Sequence, residues 1–126
     1  MTDAAFPLAG YLGLDTGLVE PGTAWAALVV GPEHLNPHGV VHGAVLFAMV
    51  DTSMGHVTRS LLDGGRLCAS VEVSMRFLRP VRGGRLEART SVLRRGRRVV
   101  HLESRVVDDE QALVATAAGT FAVLEP

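Results

Sequence analysis

The chain has 126 residues, 48% of them hydrophobic and 20% charged, which excludes an intrinsically disordered protein and suits one compact domain. A formal net charge of −1 excludes a global positive field of the kind that recruits nucleic acid or an anionic membrane. We therefore expect a single domain spanning residues 1–126, with neither a nucleic-acid nor a membrane partner.

The first predicted elements are a strand and a long helix. Residues 23–31, TAWAALVVG, lie between turn residues and form the strand. From Val41 to Leu62 the apolar spacing is helical. The first half of this segment is hydrophobic nearly all round, which indicates a helix covered by a sheet. The sequence DGG at 63–65 ends the helix.

A two-residue alternation then replaces the helical spacing. In the next strand, one face is predicted to carry Val71, Val73, Met75 and Phe77. Three more strands follow at 85–93, 99–107 and 112–124. The turns between them are short, which implies antiparallel neighbours. The predicted fold class is therefore α+β, with an antiparallel sheet wrapped around one long buried helix.

Three features predict a cytoplasmic protein. The single cysteine, Cys68, cannot form a disulfide within the chain. The N-terminal residues carry an acid at position 3 and no basic region, so they do not resemble a signal peptide. The longest apolar run, VVHGAVLFAMV, has about half the length needed to span a bilayer.

The predicted helix contains one carboxylate that its apolar setting does not explain. Asp51 follows Ala48, Met49 and Val50. A carboxylate buried without a partner is unfavourable by several kcal/mol or has its pKa raised, so Asp51 is expected to be paired, protonated or functional. The alternative is a solvated face, because polar and small residues follow it in the sequence.

The start of the same helix has the chemistry of a carbonyl-binding site. A helix that begins near His42 and Gly43 presents unpaired backbone N–H groups and the positive end of its dipole. Such an end can polarise a carbonyl and hold a developing oxyanion, and Asn36 and His42 add donors. The alternative is that the glycines only cap the helix and turn the chain.

Distance separates these two groups of residues. Gly43 and Asp51 are eight residues apart, which on one helix corresponds to about 12 Å along the axis. They could act on one carbonyl only if a second copy of the helix ran antiparallel beside the first, as in a two-fold dimer. The hypothesis is an active site built from both subunits.

Two other kinds of site are weaker candidates. A metal site could use His34, His38, His42 and Asp51. Proline and glycine lie among the three histidines, however, and favour a loop over the helix that would align them. A Ser-His-Asp triad is weaker still, because no serine lies in a GxSxG motif.

Several segments resemble a known family. The segments HLNPHGVVHGAVLFAMVDTSMG, SVEVSMRFLRPV and RRGRRVVHLESRVVDDEQALVATAAGTFAVL resemble the hotdog-fold acyl-CoA thioesterases of the phenylacetate-pathway, or PaaI-like, type. The similarity runs from about Gly10 to Leu124 and includes an H-x-N-x-x-G-x-x-H-G-x(7)-D pattern. The resemblance implies a long helix wrapped by an antiparallel sheet, homodimers with a continuous sheet, and often a dimer of dimers.

The resemblance also implies roles for particular residues. The Gly43 N–H, with Asn36, would polarise the thioester carbonyl. Asp51 of the partner subunit would be the general base that activates water, or the nucleophile that forms a mixed anhydride. Ser70 would help Asp51 to orient the water, and His42 would orient Asn36 or meet the departing thiolate. One departure is Ala44, where many relatives have a second glycine.

The substrate contacts expected from the sequence fall in two groups. The phosphates of coenzyme A would meet the RRGRR turn, at Arg95, Arg97 and Arg98, although this turn could also be only a solubilising hairpin. The acyl pocket is expected to be lined by Leu46, Phe47, Val50 and Met54. No cofactor is expected, since coenzyme A is part of the substrate.

The leading hypothesis is therefore acyl-CoA thioester hydrolysis. Hydration or dehydration of acyl thioesters would need a histidine with an acid, and the helix has no histidine at a depth comparable to Asp51. A non-catalytic acyl-CoA sensor is the main alternative, and it would have no need of a water-activating carboxylate. Nucleic-acid binding through the arginines lacks a stacking platform, because aromatic residues make up only 5% of the chain.

Overall fold

The structure, a computed structural model, describes residues 6–126. In chain order its elements are α1 (Pro7–Leu12), β1 (Asp15–Glu20), β2 (Thr23–Val29), a 3-10 turn (Pro32–His34), α2 (Gly43–Ser60), β3 (Leu67–Phe77), β4 (Arg85–Arg95), β5 (Val99–Val107) and β6 (Leu113–Leu124).

One antiparallel sheet contains all six strands. Its order is β1-β2-β4-β5-β6-β3, so β1 and β3 form the two edges. Helix α2 packs across one face and contacts every strand. The predicted α+β architecture, a sheet wrapped around one long helix, is confirmed.

Helix α2 has a buried stripe that explains its apolar sequence. The stripe turns with the helical period, and its fully buried members include Met49, Val50, Met54 and Val57. Leu86 and Leu102 belong to the same core from the side of the sheet. The helix is two residues shorter at each end than predicted, because His42 caps its start and Leu61 its end.

Two N-terminal elements were not predicted, and each lacks the usual sequence signal. Helix α1 has six residues, too few for a clear period. Strand β1 carries Gly17 at its centre, a residue that weakens strand preference. The space above Gly17 is taken by the Trp25 ring, since an added Cβ would lie 2.8 Å from it.

Strand β3 differs from a regular alternation. Its pairing with β6 shifts between Ser70 and Glu72, so Val71 lies in a β-bulge. Cys68 and Ser70 precede the bulge and line a cavity on the face of the sheet that packs against α2. Val73 follows the bulge and packs against the core. The prediction of one shared apolar face is therefore wrong at Val71, which is 66% exposed.

Candidate active site

The N-terminal end of α2 has a free backbone donor. The His42 side chain caps the helix, with Nδ1 accepting from the Ala44 N–H at 2.9 Å. The Val45 N–H bonds to the His42 carbonyl at 2.9 Å. Within the described residues the Gly43 N–H makes no hydrogen bond. It is therefore available to an anion or a carbonyl oxygen at the positive end of the helix dipole.

The Asn36 side chain is oriented by the loop that leads into α2. Its Oδ1 accepts from the backbone N–H groups of His38, at 2.9 Å, and Val40, at 3.3 Å. The Asn36 N–H in turn donates to the Val40 carbonyl at 2.7 Å. Because Oδ1 is used to hold the loop, the Nδ2 amide of Asn36 is left as the donor.

Asn36 and Gly43 line one cavity of about 320 Å³, together with Leu46, Phe77 and Arg79. The Phe77 ring covers Gly43, since an added Cβ there would come within 3.1 Å of Cζ. A side chain at position 43 would therefore disturb the wall of the cavity. The sequence analysis did not identify Phe77 or Arg79 as part of this site, although both lie in the family-like segment SVEVSMRFLRPV.

Asp51 lies in a different cavity and is not on a solvated face. Its carboxylate is partly buried, and Oδ1 is inaccessible to solvent and has no hydrogen-bond partner among the described residues. Burial raises the pKa of Asp51 above its ordinary value of 3.8, and a hydrogen bond from the Ser70 side chain opposes part of that rise. The alternative of a solvated carboxylate is therefore wrong.

The bulge in β3 is what brings Ser70 to Asp51. Regular alternation continued back from Glu72 would place Ser70 on the outer face of the sheet. The extra residue at Val71 changes this phase, so Ser70 lines the same cavity of about 550 Å³ as Asp51. Phe6, Gly55 and Phe121 also line it, and none of these was expected from the sequence.

The predicted catalytic residues thus form two groups in the structure. Asn36 and Gly43 lie together, with His42 exposed at the helix cap beside them. Asp51 and Ser70 lie together in the second cavity. The structure does not bring the two groups together within this chain. His42 bonds to the Ala44 N–H rather than to Asn36.

Only some of the residues predicted to form the acyl pocket line a cavity. Leu46 lines the cavity that contains Asn36 and Gly43, and Phe47 is 41% exposed. Val50 and Met54 are 0% exposed and belong to the core beneath the sheet. Their helical spacing places them on the face that the sheet covers, so the structure does not put them where a substrate could touch them.

The arginines of the β4–β5 turn lie near the C-terminal end of α2. Arg95 and Arg97 line a cavity of about 220 Å³, and Arg66, not predicted, joins them. Arg95 donates to the Leu61 carbonyl, which satisfies one backbone group at the helix end. Arg98 is exposed and does not line this cavity.

Two histidines of the weaker metal hypothesis, His34 and His42, have other partners. His34 is buried, its Nδ1 accepts from the Gly31 N–H at 2.9 Å, and Nε2 donates to the Leu12 carbonyl at 2.7 Å. His34 therefore ties the 3-10 turn to the end of α1. Across residues 6–126, no group of three or more His, Cys, Asp or Glu side chains is arranged to hold a metal ion.

Within the same described range, none of the helices has both the length and the apolar character needed to cross a membrane. The longer helix, α2, has 18 residues and carries Asp51 and Arg59.

Comparison with known proteins identifies the family. The model of the thioesterase superfamily matches residues 38–115. A candidate esterase of Haemophilus influenzae is 27% identical over 115 residues, which cover 90% of this chain and 83% of that protein.

Solved structures agree with this match. A candidate esterase from Mycobacterium tuberculosis has a TM-score of 0.91 and 30% identity, covering 96% of this chain and 98% of that one. The PaaI protein from the phenylacetic acid degradation operon of Escherichia coli has a TM-score of 0.87 and 26% identity, covering 96% and 86%. The chain therefore belongs to the thioesterase superfamily, as a thioester hydrolase with the hotdog fold.

Proposed function

We propose that this chain hydrolyses acyl-CoA thioesters to the free acid and coenzyme A, at active sites shared between two copies of the chain. In each site Asn36 and Gly43 of one copy bind the thioester carbonyl. Asp51 and Ser70 of the other copy supply and hold the attacking water.

The observation that carries the proposal is the separation of two incomplete sites on one helix. Gly43 and Asp51 are separated by about 12 Å of helix rise and line different cavities. One cavity offers hydrogen-bond donors, and the carboxylate of Asp51 lines the other. A thioester needs both at one carbon atom, and a two-fold axis can supply them twice.

The carbonyl end of the site stabilises developing negative charge. The free Gly43 N–H and the Nδ2 amide of Asn36 donate to the carbonyl oxygen, which becomes an oxyanion when water adds. The positive end of the α2 dipole favours the same charge. Because the loop already fixes Asn36 through Oδ1, little reorganisation is needed when the substrate binds.

Asp51 acts as the general base. As the water oxygen bonds to the carbonyl carbon, one water proton passes to the Asp51 carboxylate, and Ser70 helps to hold the water. The tetrahedral intermediate then collapses, the carbon–sulfur bond breaks, and the departing thiolate takes up the proton that Asp51 received, which restores the carboxylate. Burial raises the pKa of Asp51, which makes its carboxylate a stronger base than a solvated one.

His42 is positioned to meet the departing thiolate. Its Nδ1 accepts a hydrogen bond from the Ala44 N–H, so in the neutral ring Nε2 carries the proton. The ring is exposed beside Gly43, where its Nε2–H can donate a hydrogen bond to the departing sulfur. The mechanism uses no cofactor, and we place the protein in the cytoplasm.

The edge strand β3 is the proposed contact between the two copies. An unpaired edge presents free backbone donors and acceptors to a second strand. This edge also exposes Leu67, Val71 and Phe77, and it carries Ser70 and the ring that covers Gly43. Pairing of β3 with β3 of a second copy would extend the sheet. A dimer of dimers is the further assembly that the family resemblance implies.

The arginines near the end of α2 are the proposed contacts for the phosphates of coenzyme A. Arg95 and Arg97 line one cavity with Arg66, so three arginines border a space that suits an anion. Arg66 also pairs with Asp63, and Arg95 also donates to the Leu61 carbonyl. Arg98 follows in the same turn and is exposed to an approaching phosphate.

A panel of CoA esters, assayed with wild type and Asp51→Ala, tests the proposed function. We expect wild type to hydrolyse at least one ester and Asp51→Ala to lose that activity. The matched control is Asp15→Ala, which removes an exposed carboxylate from β1 and should leave the rate unchanged. Undiminished hydrolysis by Asp51→Ala would overturn the mechanism, and no hydrolysis of any ester by wild type would favour a binding protein.

A further inference from the structure

The cavity that contains Asp51 also contains a cationic side chain. Arg59 lies in the last turn of α2, eight residues after Asp51, and lines the same cavity. A positive charge in the last turn of a helix interacts favourably with the negative end of the helix dipole. That effect needs no particular direction of the side chain, so it does not explain why Arg59 borders the cavity.

The guanidinium group of Arg59 lies back along the helix, on the side of Asp51. A Cβ added at Gly55, one turn before Arg59, would lie 3.2 Å from Nη1 of Arg59. Gly55 has ordinary helical geometry, where glycine is among the least favourable residues. A side chain at position 55 would crowd the guanidinium, so the glycine keeps room for it in the cavity.

The charge of Arg59 acts on a group inside the cavity. Burial raises the pKa of the Cys68 thiol, and the charge of Arg59 and its hydrogen bond to this thiol oppose part of the rise. Cys68 lines the cavity from β3. A guanidinium group has five N–H donors, so one that bonds to a thiol can also bind the two oxygens of a carboxylate.

The cavity therefore has two polar ends and an apolar middle. Asp51 and Ser70 form one end, Arg59 forms the other, and the Phe6 and Phe121 rings also line the space. Its volume of about 550 Å³ lies within the range of small-molecule sites. A wholly apolar acyl group would displace water from the guanidinium without replacing its hydrogen bonds, which is unfavourable.

We propose that Arg59 selects acyl groups that carry a carboxylate at their far end, so that the substrates are mono-CoA thioesters of short dicarboxylic acids. This inference rests on the proposed function. The thioester carbon lies at Asp51 and Ser70, the methylene chain passes Gly55 between the two rings, and the carboxylate bonds to Arg59.

The distance along the helix sets the length of the acyl chain. Asp51 and Gly55 are about 6 Å apart along the axis, and the Arg59 guanidinium lies beside Gly55. Three covalent bonds of an extended chain span about 3.8 Å. The five-carbon glutaryl group, with a carboxylate at its far end, is therefore of suitable length.

The test compares Arg59→Gln with wild type on glutaryl-CoA and hexanoyl-CoA. The two esters are similar in length and share coenzyme A, so they differ mainly in the charge at the far end of the acyl group. Wild type should have the higher kcat/KM for glutaryl-CoA. Arg59→Gln should lower that value by about tenfold or more, because it removes a hydrogen bond to a charged group. The rate with hexanoyl-CoA should not fall.

Two further variants separate the charge of Arg59 from a structural role. Arg59→Lys keeps the charge but not the paired donors, so it should retain part of the preference for glutaryl-CoA. Arg59→Glu should reverse the preference, because like charges repel. The matched control is Arg105→Gln, which removes the same charge from the outer face of the sheet on β5 and should leave both rates unchanged.

Three outcomes overturn the inference while leaving thioester hydrolysis intact. They are a wild-type preference for hexanoyl-CoA, an unchanged ratio of the two rates in Arg59→Gln, and an equal loss on both esters. The last result would indicate that Arg59 contacts coenzyme A or supports the fold. Failure of wild type to hydrolyse any thioester refutes the proposed function instead, so the two failures are distinguishable.

Discussion

A mixed dimer of two inactive variants tests whether the active site is shared between chains. One chain carries Asp51→Asn, which removes the base with little change of shape. The other carries Asn36→Asp, which keeps an oxygen to accept from the His38 and Val40 N–H groups but removes the Nδ2 donor. The two substitutions therefore remove chemistry and leave the loop and the helix in place.

The expected rate follows from the geometry. Gly43 and Asp51 are separated by about 12 Å of helix rise, whereas donors to an oxyanion lie about 3 Å from it. In a mixed dimer one site combines Asn36 of the first chain with Asp51 of the second and is intact, while the other site has lost both groups. The kcat per dimer should therefore be about half that of wild type.

The assay uses chains with two different affinity tags, co-expressed and purified through both tags in turn. Both parent homodimers are the controls, and each should retain little activity, because every site in them lacks one group. A mixed dimer that is no more active than the parents would refute the shared site. It would mean that Asn36 and Asp51 serve the same site from one chain.

Three further predictions concern charge and pH. Because burial raises the pKa of Asp51 above 3.8, kcat/KM should decrease at acid pH with an apparent pKa above that value. Ser70→Ala removes the hydrogen bond that opposes this rise, so the acid decrease in kcat/KM should move to higher pH. The raised pKa also means that the folded state favours protonated Asp51 more than the unfolded state does. The stability that this protonated form contributes is therefore lost as the pH rises. Asp51→Asn should therefore melt at a higher temperature than wild type at pH 7, and the difference in melting temperature should shrink as the pH falls toward 4. A difference that stays constant with pH would contradict this account. Charge reversal at Arg97 and Arg98 should raise KM for a CoA ester by about tenfold but leave KM unchanged for an N-acetylcysteamine thioester, which lacks the phosphates. Equal effects on the two substrates would remove these arginines from the phosphate contacts.

The fold was predictable where a regular hydrophobic repeat continued over many residues. The 18 residues of α2 and the alternation in the later strands specify a sheet around a helix. Strand β1 was missed because Gly17 interrupts it, and that glycine is explained only by the Trp25 ring on the neighbouring strand. A contact between strands leaves no local pattern in the sequence, so α1 and β1 had to be learned from the structure.

The candidate site was predictable where a polar or charged residue type did not fit the apolar segment around it. A carboxylate in an apolar helix identified Asp51, and two glycines beside polar donors identified the start of α2. Leu46, Phe47, Val50 and Met54 were expected to line a pocket only because they are apolar and near Asp51. The angular position of a residue around α2 decides whether its side chain faces the core or a cavity. Val50 and Met54 lie on the side that faces the core.

Phe6 and Phe121 could not have been found in this way. They are distant in sequence from Asp51 and from each other, and an aromatic residue at a chain end or in a strand is ordinarily a packing residue. Only the folded sheet brings them to one cavity with Gly55.

The bulge at Val71 makes the candidate chemistry depend on how β3 pairs with β6 as well as on which residues β3 contains. Ser70 and Glu72 pair with the consecutive residues Phe121 and Thr120, so Val71 is the extra residue. If β3 instead ran through Val71 as a regular strand, with no residue lost, Ser70 would share a face with Glu72 and turn to the outer face of the sheet, away from Asp51. A related sequence could therefore retain every candidate functional residue of this site and still lack the site, if its β3 pairs without the bulge.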